Sequence, residues 1–231
     1  MIEELKKEMQ SLRSPKKAET LSRFFKTGKG EYGEGDLFLG LTVPESRSIA
    51  RKYVHISFGE IKELLKSKFH EERLVALLIL VHNYNQGNQK QKDDVYNFYI
   101  NNMLFINNWD LVDLTADKIV GAHLLDKGKD ILYNIAKSKN LWERRISIVA
   151  TFHFIRKHSF NETLKIAELL LDDDHDLIHK AVGWMLREVG KRNQEDEETF
   201  LKKHYKKMPR TMLRYAVERF SESKRKLYLD K

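Results

Sequence analysis

The 231-residue sequence contains no cysteine, only three prolines and only eleven glycines. Without cysteine there is no disulfide, no thiolate nucleophile and no cysteine-containing zinc cluster, and a reducing compartment suits the composition. With so few prolines and glycines, helices meet few interruptions. Long apolar runs are missing as well. The longest, Leu74 to Val81, is far short of the roughly 20 residues that cross a bilayer. The first residues, Met1-Ile2-Glu3-Glu4-Leu5-Lys6-Lys7, are charged and lack a signal-peptide apolar core. The expectation is a soluble cytoplasmic protein that does not engage a membrane. The nine histidines carry no His-Glu-x-x-His spacing, so neither a metal nor another cofactor is expected. No serine sits among nucleophile-elbow glycines.

What the chain does have is positive charge, unevenly placed. Residues 201–231 hold eleven basic groups, Lys202 to Lys231, against three acids, which equals the whole net excess of +8. Such a surface suits a polyanion such as nucleic acid, although a solubilising face or a basic tail has the same composition.

Apolar residues recur at helical spacing almost everywhere. The clearest stripe is Ile178, Ala181, Val182, Met185, Leu186, Val189, the i, i+3, i+4, i+7 pattern of an amphipathic helix. Comparable stripes run through 70–85, 108–125, 142–158 and 209–220. Weaker ones occupy 2–13, 18–26, 44–55, 58–68, 90–104, 128–138, 161–171 and 196–205. Ser57 with Glu60 has the form of a capping box, Ser14 precedes Pro15, and Pro209 suits a first helical turn. The segment Thr27 to Asp36 carries four glycines and reads as a loop. It lacks the strand and the Gly-Lys-Ser/Thr ending of a phosphate-binding loop.

Arg145, Lys180 and Arg214 stand 35 and 34 residues apart, each followed within four positions by apolar residues. Arg73 and Asp113 hold comparable places in the two preceding strong helices. A period in the mid-thirties is that of a helix-pair solenoid. The expected fold is therefore all-α, a HEAT-like helical-repeat solenoid with a concave basic groove, forming one domain over 1–231. A non-repetitive helical bundle is the alternative.

Four places along this array carry candidate chemistry. Trp109 and Asp113 lie one turn apart, off the inward stripe of Val112, Ala116, Ile119 and Val120. A tryptophan face and a carboxylate together suit a cationic or electron-poor group, or else they are a half-buried tryptophan and a capping acid. Arg145 fills a gap in the stripe of Leu141, Ile148, Phe152 and Ile155, where it needs an anionic partner or an exit to a groove. In Lys180-Ala181-Val182-Gly183-Trp184-Met185-Leu186-Arg187 the face away from the stripe is basic, aromatic and basic again. Lysine and arginine can neutralise phosphate there while the indole packs on a sugar or base. Trp184 can equally plug a gap between repeats.

In order along the chain, Asp36-Leu37-Phe38-Leu39-Gly40 with Pro44-Glu45-Ser46-Arg47, Asn108-Trp109-Asp110-Leu111-Val112-Asp113, Trp142-Glu143-Arg144-Arg145 and Lys180 to Glu188 resemble the AlkD-type DNA glycosylases of the bacterial alkylation-repair group, over about residues 18 to 220. The resemblance implies a HEAT-like solenoid that excises cationic N3- and N7-alkylated purines from duplex DNA without a metal and without extruding the base. It implies Asp113 as the catalytic carboxylate, Trp109 and Trp184 beside the deoxyribose, and Arg145 on the backbone. Lys180, Arg187 and Phe24 join as DNA contacts. Phe24 stands where the family's cleft has a tyrosine, which removes a hydroxyl. The expected protein is a monomer whose partner is alkylated DNA. The alternatives are a non-catalytic scaffold for distorted or branched DNA and a peptide-binding adaptor.

Overall fold

The computed structural model describes residues 1–230; Lys231, one of the basic groups counted above, lies outside them. The chain is all-α, a helical-repeat fold. Among the described residues there is no β-strand, only one isolated parallel bridge between Leu37 and Phe69. Two compact units divide the chain, Met1–Thr115 and the residues from Ala116 onward.

The first unit runs α1 (Ile2–Ser11), α2 (Pro15–Phe24), α3 (Val43–Lys52), α4 (Phe58–Leu65), α5 (His70–Gln86), α6 (Gln89–Asn101) and α7 (Trp109–Asp113). The predicted capping box of Ser57 and Glu60 starts α4, and Thr42 with Glu45 and Asn88 with Gln91 build two more. Each supplies acceptors to backbone N–H groups that a helix start leaves without partners. The long apolar run explains the architecture. Leu74 through Leu80 are all buried, so α5 is apolar around its circumference and has to be enclosed. It packs against α3, α4 and α6 and touches α7.

The second unit begins with a π-helical turn, Asp117–Gly121, leading into α8 (Ala122–Leu124). It continues with α9 (Asp130–Ala136), α10 (Leu141–Ala150), α11 (Phe152–Arg156), α12 (Asn161–Leu169), α13 (Asp176–Gly190), α14 (Gln194–His204), α15 (Arg210–Ala216) and α16 (Glu222–Leu229). All six residues of the predicted α13 stripe are fully buried, and this helix packs on α10, α14 and α15. Gly183 permits the α13–α15 approach. A Cβ there would stand 2.4 Å from the Met212 carbonyl oxygen and 2.5 Å from the Tyr215 Cβ.

Three expectations change, and one helix is added. The stripe of 108–125 is buried as predicted but is not one helix. The Thr115 hydroxyl donates back to the Leu111 carbonyl and meets the Tyr99 hydroxyl, a competition that bends helices, and the π turn follows. The stripe of 142–158 divides in the same way at Thr151, whose hydroxyl donates to the Ile148 carbonyl. Pro209 stands at the N-cap of α15 rather than inside its first turn. Helix α16 carries no buried residue, and so had no apolar stripe from which to be read.

Candidate functional site

In the first unit, a mostly apolar cavity of about 400 Å³ is lined by side chains from α2, the 38–43 segment, α5 and α7. Phe24, Phe25, Phe38 and Trp109 form its aromatic wall, and His70, Glu71, Asp110 and Asp113 bring the charge. Trp109 and Asp113 thus face one cavity, as their one-turn spacing predicts, and both are half-buried. The indole lies on a stack. Phe25 packs nearly parallel to Trp109 at 5.0 Å between centroids and also on Phe38 at 5.1 Å. Phe24 meets Trp109 edge-on at 5.7 Å while remaining 61% exposed.

Behind the aromatic wall lies a buried ionic cluster. His70 places Nε2 2.8 Å from Asp110 Oδ2 and Nδ1 3.3 Å from Asp36 Oδ2. Arg73 Nη2 lies 2.6 Å from the other Asp36 oxygen. Burial opposes charge on His70, but the carboxylates of Asp110 and Asp36 outweigh it and raise the imidazole to about 9. Asp36 moves the other way: burial works against its ionisation, yet His70 and Arg73 hold its carboxyl below the usual range. Beside the cluster, Glu71 accepts from the backbone N–H groups of Leu39, Gly40 and Leu41 at 2.9, 2.8 and 3.2 Å. Gly40 has φ +90°, and a Cβ there would meet the Ser14 carbonyl oxygen at 2.3 Å. Only glycine fits this turn.

The other predicted residues belong to the second unit. Arg145 is buried and donates through Nη1 to the Leu177 carbonyl in the first turn of α13. Trp184 is half-buried, with its ring 5.6 Å from that of Phe152. The Arg156 guanidinium caps Phe152 at 4.0 Å and pairs with Asp117 at 2.7 Å. Lys180 pairs with Asp176 one turn earlier, and Arg187 donates to Glu218. The basic, aromatic, basic face therefore exists, with both cations already on carboxylates. Of the C-terminal basic groups, Lys203, Lys224 and Lys226 pair with Glu168, Glu198 and Glu222. Lys202, Lys207, Arg214, Arg219 and Arg225 are exposed.

The cluster under Trp109 is not legible from sequence spacing. Asp36, Phe38 and Asp110 fall inside the motif segments, but His70 meets partners 34 and 40 residues away, which no local spacing shows. His175 and His179 stand four apart as a metal pair can. Both are occupied locally: His175 accepts from the Leu177 N–H as the α13 N-cap, and His179 Nε2 bonds the Asp173 carbonyl.

No curated protein matches the chain. A solved structure described as "Predicted DNA alkylation repair enzyme from Enterococcus faecalis" superposes with a TM-score of 0.71 over 91% of this chain and 97% of that one, at 18% identity. That likeness establishes the shared fold. The profile of the family described as DNA alkylation repair enzyme matches residues 5–220, nearly the whole chain, and the protein therefore belongs to the DNA alkylation repair enzyme family.

Proposed function

We propose that the protein is a monofunctional DNA glycosylase that hydrolyses the N-glycosidic bond of cationic N3- or N7-alkylated purines in duplex DNA. The observation that carries this reading is the placement of Asp113 and Trp109 on one wall of an aromatic cavity. Alkylation at N3 or N7 makes the purine a cation, so when C1′–N breaks the bonding electrons leave with a neutral base and no protonation is required. The deoxyribose is left electron-poor and oxocarbenium-like. A preorganised carboxylate and an indole face stabilise such a charge in a site with little water. Asp113 is assigned that role and, as a general base, takes the proton of the water that adds to C1′. Trp109 supplies one aromatic face, and Trp184, backed by Phe152, is assigned the second. Arg145, Lys180, Arg187 and Phe24 are assigned to the DNA strand. For the two lysine and arginine side chains this requires exchanging Asp176 and Glu218 for phosphate, which the greater charge of DNA favours. The reading takes the chain as one HEAT-like domain, a cytoplasmic monomer without cofactor.

A second reading, a non-catalytic protein that binds distorted or branched DNA, is favoured by one feature. Phe24 brings an exposed ring without a hydroxyl against Trp109. Incubation of the protein with duplex DNA containing 7-methylguanine decides between them. Free base above the buffer level supports the glycosylase, whereas tight, salt-sensitive binding with no release establishes the second reading.

A further inference from the structure

We propose that His70 is a positioning residue for this site, its buried imidazole clamping the segment that carries Trp109 and Asp113 to the Asp36–Phe38 segment. The proposal rests on the reading of the cavity as the place of base release.

Helix α7 has five residues, and a helix that short has no stability of its own. The direction of the Trp109 indole, and the place of Asp113 one turn on, therefore depend on what holds the first turn as well as on the buried Leu111 and Val112. That turn is tied on both sides of Trp109. Asn108 accepts from the Trp109 N–H at 2.8 Å and donates to Asp36 Oδ2 at 3.2 Å. Asp110 accepts from the Leu111 N–H at 2.9 Å with one oxygen and meets His70 Nε2 with the other. His70 is where the two ties join, since its second nitrogen meets the same Asp36 oxygen. Arg73 balances the remaining Asp36 charge, and Glu71, the other charged neighbour on α5, is committed to the backbone of Leu39 to Leu41.

The imidazole also continues the aromatic stack. Its ring lies 4.8 Å from Phe25 and 4.8 Å from Phe38, and Phe25 in turn supports the indole. His70 thus fixes Trp109 twice, through its bond to Asp110 with Asn108 reached by way of Asp36, and through the ring beneath the indole. A buried ionic cluster is a poor source of stability compared with apolar packing of the same volume. Its directional bonds do determine where two side chains point, and a misplacement near 1 Å at a reacting centre costs on the order of a hundredfold in rate.

The test is His70→Gln, whose amide reaches toward Asp110 but cannot join Asp110 to Asp36. Two quantities are measured on the full chain: the three tryptophan indole ¹H–¹⁵N signals, assigned by single Trp→Phe variants, and single-turnover release of 7-methylguanine alongside DNA affinity. The Trp109 signal is expected to shift or broaden while those of Trp142 and Trp184 stay in place. The release rate is expected to fall by about tenfold or more with affinity changed by less than about twofold. A folded variant with an unmoved Trp109 signal, or with a moved signal and wild-type release, overturns the proposal. If wild type releases no base, the glycosylase reading fails and the Trp109 signal still decides the clamp. Should His70→Gln not fold, Asp110→Asn breaks the same joint at constant volume and is read by the same signals.

Discussion

Glu71 makes the most exposed wager on how the cavity is held. Its carboxylate is 2% accessible and accepts three backbone N–H groups from Leu39, Gly40 and Leu41, the segment that follows Phe38 into the cavity wall. In Glu71→Gln the amide oxygen can keep the pair at Gly40 and Leu41, but its NH₂ then faces the Leu39 N–H, donor against donor. Losing one charge-assisted bond and stranding one buried donor costs about 2–4 kcal/mol. Glu71→Ala strands three and costs about 4–6 kcal/mol, a large part of the stability of an ordinary domain. Urea unfolding followed by far-ultraviolet circular dichroism reads this directly. With a slope of about 2–3 kcal/mol/M, the Gln variant shifts the midpoint down by about 1 M at unchanged slope. A midpoint within about 0.2 M of wild type refutes the reasoning, because the charge and the Leu39 contact then contribute no more than water does.

Two further outcomes follow from the second unit. Burial, with the charge of Glu198 beside it, raises the Glu197 carboxyl to about 8 against the pull of Arg187, so the native state keeps a proton that the unfolded chain loses near its ordinary value. Stability is then fully present below about pH 4.5 and is lost as pH rises through 8, by roughly 4 kcal/mol. Glu197→Gln should therefore match wild type at pH 5 and exceed it at pH 9, and equal differences at both pH values would rule this out. For Gly183→Ala, the added Cβ meets backbone of α15 rather than a movable side-chain end. A loss of about 2 kcal/mol or more and a fall of several degrees in Tm are expected; an unchanged Tm shows that the α13–α15 contact yields.

What could be read in the sequence was what repeats locally. The α13 stripe from Ile178 to Val189 and the enclosed run of α5 depend on spacing within one helix, and Trp109 with Asp113 depends on a single turn. What escaped depends on distance or on hydroxyl chemistry. Thr115 and Thr151 look like ordinary helix-face residues until their hydroxyls bond back to carbonyls and divide the helix. Arg145 stands out among apolar neighbours, and one acceptor it meets is the Leu177 backbone carbonyl, which no side-chain pattern announces. His70 lies in the unremarkable segment His70-Glu71-Glu72-Arg73, and its meaning appears only when residues 36 and 110 are folded against it.

Single-turnover excision of 7-methylguanine by Asp113→Asn, measured beside wild type with DNA affinity as the control, tests the central claim most directly. A group that stabilises developing charge in the transition state contributes about 3–4 kcal/mol, so the variant should bind DNA nearly as wild type and release base at least about a hundredfold more slowly. Release by Asp113→Asn at the wild-type rate would contradict the assignment of that carboxylate to the chemistry.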